Sequence, residues 1–356
     1  MTEPETTPRP KKQGRQFTPG RLLGLPTLIA FGLSAIFIGF LLTRFDIDFS
    51  ATWGYIKGSH FGYFLLAFFL YYLTFPARGL RWRILLDNVS TFREPGAERP
   101  SVPAFSEMIL MSWFANSITW FRLGDAYRAY LLAERSKASF PRTVGTVAAE
   151  RVLDVGVVFV LLLVASIGLL RGEPSATAKA VILAAAVLAA LVAAALVAMK
   201  LFGMRLARRL PTKVQHVYAR FEEGTIGSFR QMPVLLLLST GIWLLEAARL
   251  YFVVKALGFD VGISLVLFAA LAHSLLTTIP LTPGGLGFVE LGLTGLLALS
   301  LRSPEATAVT LLDRSITYLS VVVIGGAAFA LHQVFWLRRR RRAAKTGVAT
   351  EQRGTG

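Results

Sequence analysis

The stretch Leu276–Leu297, LTTIPLTPGGLGFVELGLTGLL, decides how this chain folds. It lies inside an apolar run, Val261–Leu301, whose 41 residues carry one formal charge, Glu290. A helix crosses a membrane with about 20 apolar residues, so the run is long enough to do so. Yet Pro280, Pro283, Gly284, Gly285 and Gly287 sit at its centre. Proline removes a backbone donor and glycine weakens a helix, so peptide groups come unwound where no water is at hand. The run reads as a helix, a break, and a second arm too short to cross.

The rest of the chain explains such a device. Of 356 residues, 54% are apolar, and Leu22–Thr43, Ala180–Met199 and Ser315–Leu337 carry no charge at all. Phe61–Ala77, Thr143–Leu170 and Met232–Ala256 bring the expected crossings to six. Leu22–Thr43 exceeds a signal-peptide core and lacks a small-residue cleavage site, so it is expected to stay as an anchor. With no cysteine, disulfides and thiol chemistry are excluded. The net charge of +17 falls in the gaps between apolar segments, ending in Arg338–Arg342. That placement marks topology signals beside anionic lipid and gives no reason to expect nucleic acid.

A second broken region, Ala104–Ala133, resembles the first. About eight residues follow TWFRLGD before Glu134, and about fourteen follow TPGGLGF before Arg302, both short of the roughly 17 a crossing needs. Both regions are therefore expected to be re-entrant hairpins. If so, 27 Lys and Arg fall on one side of the membrane and 5 on the other, which is the cytoplasmic excess that topology follows. The hairpins also align at a shift of 163 residues: Thr119 on Thr282, Leu123 on Leu286, Gly124 on Gly287, and Glu150-Arg151 on Asp313-Arg314. The fold expected is all-α and polytopic, with about six transmembrane helices and two re-entrant hairpins in an inverted pseudo-repeat. Its parts are a basic cytoplasmic arm (1–21), a first half (22–170, hairpin 104–133), a second half (171–337, hairpin 263–301) and a basic cytoplasmic tail (338–356).

Candidate site residues follow from charge and backbone. At Pro283, Gly284, Gly285 and Gly287 the break frees N–H groups and a positive helix end, which favour an anion; close helix packing is the alternative. Arg122, Arg151 and Arg314 are intramembrane guanidiniums, costly unless paired or purposeful. They suit either structural ion pairs or a lipid phosphate, which the planar fork fits. Glu150, Asp154 and Asp313 are the acids beside them, and Asp154 reaches Arg151 at i+3. Asp125 reads as an N-cap or a site residue; Glu290 as dipole compensation or a proton or cation relay. Arg128 is expected to snorkel to the interface, and Glu246 with Arg249 to form a same-face pair.

Signatures of nucleotide, metal or hydrolase chemistry are absent from the sequence, so no catalytic residue, metal or cofactor is expected. The segments ANSITWFRLGDAYRAYLL (115–132), AAERVLDV (148–155), IPLTPGGLGFVELGLTGLL (279–297) and LLDRSITY (311–318) resemble the flippase-type transmembrane domain of lysylphosphatidylglycerol synthases. The resemblance implies movement of an anionic membrane lipid or lipid-linked precursor across a prokaryotic cytoplasmic membrane, with both termini cytoplasmic. Trp120 stands where many relatives have proline, and the sequence ends at Gly356 soon after the last span, so lysine transfer is not expected. Two other readings stay open. One is a non-transporting scaffold partnered by an envelope-biosynthesis enzyme; the other is a small-solute or ion-coupled transporter.

Overall fold

The computed structural model describes residues 49–93, 96–119, 121–169, 176–278 and 282–335. The arm 1–21, the expected span Leu22–Thr43, Trp120, Pro280 and the tail 338–356 lie outside these. The described residues are helical, with no strand. Helices α1 (Phe49–Lys57), α2 (Phe61–Asn88), α3 (Val102–Ile118), α4 (Leu123–Ser136), α5 (Phe140–Leu169) and α6 (Ala176–Ala198) are followed by α7 (Thr212–Ile226), α8 (Met232–Ala256), α9 (Ile263–Thr278), α10 (Phe288–Leu297) and α11 (Ser303–Arg314). Helix α6 continues through a π turn and α11 likewise runs on to Phe335.

Among the described residues, four helical stretches are long and apolar enough to cross a membrane: Phe61–Asn88, Lys179–Ala207, Thr212–Ala256 and Ser303–Phe335. The chain is thus a multi-pass membrane protein. Its outer helices present apolar side chains outward, such as Leu183, Leu191, Val197, Val323 and Phe335, each more than half exposed. In water these would be a liability; against acyl chains they are solvent-matched. Helices α2 and α8 pack along each other at the centre, with Tyr71, Phe75, Trp82, Leu250 and Val253 buried between neighbours.

Both broken regions take a helix–break–helix form. Helix α3 packs on α4, and α9 on α10. At about 1.5 Å rise per residue, α4 and α10 are about 21 and 15 Å long, short of a hydrocarbon core of about 30 Å. The ends of each pair lie together. Near the α3–α4 pair, Glu98 N donates to Ser136 O at 3.3 Å, while Asn88 binds Ser228 O at 2.7 Å and Arg142 binds Glu223 at 2.9 Å. Tyr55 and Thr52 similarly gather the region of the α9–α10 pair: Tyr55 packs on Phe259 at 5.2 Å and bonds Arg302 at 2.9 Å, and Thr52 meets Pro304 O at 3.4 Å.

One span boundary differs from the sequence reading. Hydropathy ended the span at Ala77, but α2 runs on to Asn88 and carries Arg78 and Arg81 inward, at 2% and 0% exposure. They belong to the interior and not to a loop. The one-sided count falls from 27 to 25, against 5, without changing the direction of the excess.

Candidate functional site: a cavity where two helix breaks meet

Described backbone groups of each break find partners within the chain, as a low-dielectric interior requires. In the first, Thr119 N bonds Ala115 O at 3.0 Å, and Gly124 N donates to the Asn116 side chain at 2.8 Å. Phe121 and Arg122 take the left-handed conformation, with φ of 56° and 52°, which costs a non-glycine residue and is common at functional sites. In the second, Gly284, Gly285 and Gly287 supply positive φ without that cost. Gly285 N bonds Thr282 O at 3.1 Å, the Thr282 hydroxyl bonds Leu286 O at 2.9 Å, and Gly287 N donates to Glu290 at 2.6 Å. Here is the use of the carboxylate after the glycines: it closes the freed end of α10.

The two breaks, 163 residues apart in sequence, line one cavity of about 150 Å³. Thr119, Phe121 and Arg122 come from the first break and Thr282, Gly284 and Gly285 from the second. Asn116 and Trp113 of α3, Trp243 and Glu246 of α8, and His273 of α9 complete much of the wall. Five guanidiniums face it, from Arg78, Arg122, Arg151, Arg249 and Arg314. Beside the breaks, Arg122 Nη1 donates to Thr277 O of α9 at 2.8 Å, and Tyr318 OH, on the continuation of α11, donates to Ser117 O of α3 at 3.3 Å.

In and behind the wall the charges form two clusters. In the first, Arg81 binds Asp154 at 2.7 Å and Glu150 at 3.2 Å, and Arg128 binds Glu150 at 3.0 Å. Asp125 is shared by Arg151 at 3.2 Å, Arg122 at 3.4 Å and Arg128 at 3.7 Å. In the second, Arg314 binds Glu290 at 2.6 Å and Gly284 O at 3.0 Å. Glu246 holds Arg78 at 3.0 Å and Arg249 at 3.2 Å, Arg249 pairs with Asp313, and His273 stands 3.8 Å from Asp313. Aromatic faces cover the cations: Arg78 lies 4.8 Å from the Trp113 ring, Arg128 5.0 Å from Trp82 and Arg314 4.8 Å from Tyr318.

The repeat reappears in this pairing. Asp125 is the third residue of α4 and Glu290 the third of α10. Arg151 reaches back to the first and Arg314 to the second. The acid preceding each arginine is held from a long central helix, Glu150 by Arg81 of α2 and Asp313 by Arg249 of α8.

Of the residues expected from sequence, Arg122, Arg151, Asp154, Gly284, Gly285 and Arg314 are in the cavity wall. Asp125, Glu150, Glu290 and Asp313 stand behind it as counter-ions, beside Pro283 and Gly287 at the break. Two expectations are corrected. Arg128 does not snorkel outward: it is 1% exposed and ion-paired, because Trp82 and Glu150 offer better company than the interface. Asp125 is not the N-cap, which is Arg122, three residues earlier. Arg78, Arg81 and His273 were missed. For the arginines, the i, i+3 spacing matched by Glu246 and Arg249 was the available signal.

Fold and site together define a polytopic helical membrane protein that encloses an arginine-lined cavity between two broken helices. The chain belongs to the family of the lysylphosphatidylglycerol synthase TM region, which matches residues 27–325. It is similar to a UPF0104 membrane protein of Methanocaldococcus jannaschii, 32% identical over 218 residues, covering 61% of this chain and 93% of the relative. A UPF0104 membrane protein of Methanothermobacter thermautotrophicus is 25% identical over 323 residues, covering 81% and 90%. The glycosyltransferase AglD of Haloferax volcanii is 25% identical over 306 residues, covering 74% of this chain and 47% of AglD.

Proposed function

We propose that this protein moves an anionic phospholipid or a lipid-linked envelope precursor between the leaflets of a prokaryotic cytoplasmic membrane. The observation that carries the reading is the meeting of two helix breaks on one cavity faced by five guanidiniums. Discontinuous helices that meet near the midplane are a recurrent transporter plan, and guanidinium forks suit phosphate. In this reading α3–α4 and α9–α10 are re-entrant hairpins, six helices cross, and the halves 22–170 and 171–337 are inverted copies. Both termini lie in the cytoplasm, with the basic arm 1–21 and tail 338–356 beside anionic lipid. The similarity to a protein named as a glycosyltransferase favours the lipid-linked precursor among the candidates. The reading assigns the chain transport, not catalysis.

Dithionite quenching of fluorescent lipids in proteoliposomes tests it. The wild-type protein makes inner-leaflet lipid accessible, and Arg122→Ala abolishes most of that rate while the protein stays folded. Unchanged rates in Arg122→Lys and Arg122→Ala would sink the phosphate site. The scaffold reading, with an envelope enzyme as partner, would then lead.

A further inference from the structure

The charge census around the cavity is unequal, and the inequality has an address. Among the described residues, the second cluster sets three guanidiniums (Arg78, Arg249, Arg314) against three carboxylates (Glu246, Asp313, Glu290). The first sets four (Arg81, Arg122, Arg128, Arg151) against three (Asp125, Glu150, Asp154). One positive charge is left over. Asp125, shared three ways, is where the shortage falls.

Arg122 is the member least held. Its ion pair is the longest of its cluster's primary contacts, at 3.4 Å, and its other bond goes to an uncharged carbonyl; its side chain is 23% exposed, close to Arg151 at 26%, but Arg151 holds Asp125 at 3.2 Å and Asp154 at 3.5 Å. It borders the cavity on a strained left-handed turn. At the 163-residue shift its counterpart is Gly285, so the repeat places a charge in one break and none in the other. An unbalanced charge at membrane depth is expensive unless a ligand or partner offsets it.

We infer that the cavity selects a headgroup bearing one negative charge, a phosphodiester, over phosphomonoester and pyrophosphate groups, and that Arg122 determines this specificity. The inference rests on the lipid reading above and narrows it. A phosphodiester oxygen bound by Arg122 neutralises the surplus and leaves the six pre-existing carboxylates in place. A phosphomonoester, with a second ionisation near about pH 6, brings close to two charges at neutral pH and leaves one unmatched. Asn116 supplies the control. Its side-chain oxygen accepts Gly124 N–H at 2.8 Å and it lines the cavity, so Asn116→Asp keeps the acceptor and adds the missing carboxylate.

The test is binding to the full chain in neutral detergent at pH 8, read by tryptophan fluorescence, since Trp113 and Trp243 line the cavity. The probes are dihexanoyl phosphatidylglycerol, dihexanoyl phosphatidate, farnesyl pyrophosphate, inorganic phosphate and chloride. Phosphatidylglycerol is expected to saturate at a concentration at least tenfold below each of the others. Asn116→Asp and Arg122→Gln each weaken it at least tenfold and leave the melting temperature near that of the wild type. Should Asn116→Asp fail to fold, the ligand series and Arg122→Gln decide alone. Equal or tighter binding of phosphatidate or pyrophosphate overturns the inference, as does saturation by chloride or inorganic phosphate at the same concentration. Unchanged binding in folded Asn116→Asp also overturns it. Monoanion preference without lipid movement in proteoliposomes would remove transport and leave the selectivity standing; movement without preference would do the reverse.

Discussion

Arg81 and Arg122 stand in different surroundings, one buried among carboxylates and the other on the cavity wall. Arg81 is fully buried and holds Glu150 and Asp154 together. Removing it leaves Glu150 to Arg128 and Asp154 to Arg151 and Trp243, and breaking a buried pair typically costs about 3–5 kcal/mol. Arg81→Leu is therefore expected to lower the melting temperature in detergent sharply and to reduce recovered protein. Arg122 faces a cavity and holds its partners loosely, so Arg122→Lys should melt like the wild type. Lysine keeps the charge but not the two-pronged fork, and lipid movement should fall severalfold or more. If Arg122→Lys instead unfolds and Arg81→Leu does not, the division between structural and site arginines is wrong. Sequence exposed Arg122 because it interrupts an apolar run beside a glycine; it hid Arg81 because hydropathy closes a span at its first charges. A buried cation paired across helices gives no local signal.

At the scale of elements, the breaks explain the proline and glycine content that local propensity alone marks as a fault. Gly285 sits at φ 73°, and a Cβ there would stand 2.4 Å from a Val289 methyl carbon. Gly285→Leu and Gly287→Leu should insert normally but lose lipid movement, because a side chain blocks or re-aims the unwound backbone. Loss of folded protein in both would favour packing as the glycines' role. Elsewhere glycine does serve packing. At the α5–α7 crossing a Cβ on Gly145 would meet Phe221 O at 2.3 Å, and one on Gly224 would meet Arg142 O at 2.1 Å. Both obstacles are backbone and cannot rotate aside. Gly145→Ala and Gly224→Ala are expected to cost about 1–3 kcal/mol each, seen as a lower melting temperature with headgroup preference intact. The helix–break–helix elements were legible from apolar run length and from proline and glycine at their centres. The α5–α7 crossing was not, since a small residue in a helix looks the same whether it meets lipid or backbone.

Over the whole molecule, the open point is which ends of the helices share a side of the membrane. Side-chain and backbone contacts join Asn88 to Ser228 and Gln231, Glu98 to Ser136 and Arg142 to Glu223 at one end, and gather residues 52–60, 256–259 and 302–305 at another. In the proposed reading the charge split places the first group in the cytoplasm and the second outside. In that reading α3–α4 and α9–α10 enter and leave on the same side, since a full crossing by either would separate segments that bond each other. The chain has no native cysteine, so single cysteines can be introduced without background. Cysteine at Ser303 is expected to react with a membrane-impermeant maleimide in intact cells, as is one at Gly172, which lies outside the described residues. Cysteine at Ser139 and at Thr212 should react only after the membrane is opened. Ser139 is the sharpest position, because it follows α4 directly and precedes the long α5. Labelling of Ser139 from outside means that the first hairpin crosses fully. The two halves would then run parallel, and the pairing of Asp125 with Arg151 and Glu290 with Arg314 would no longer reflect an inverted repeat.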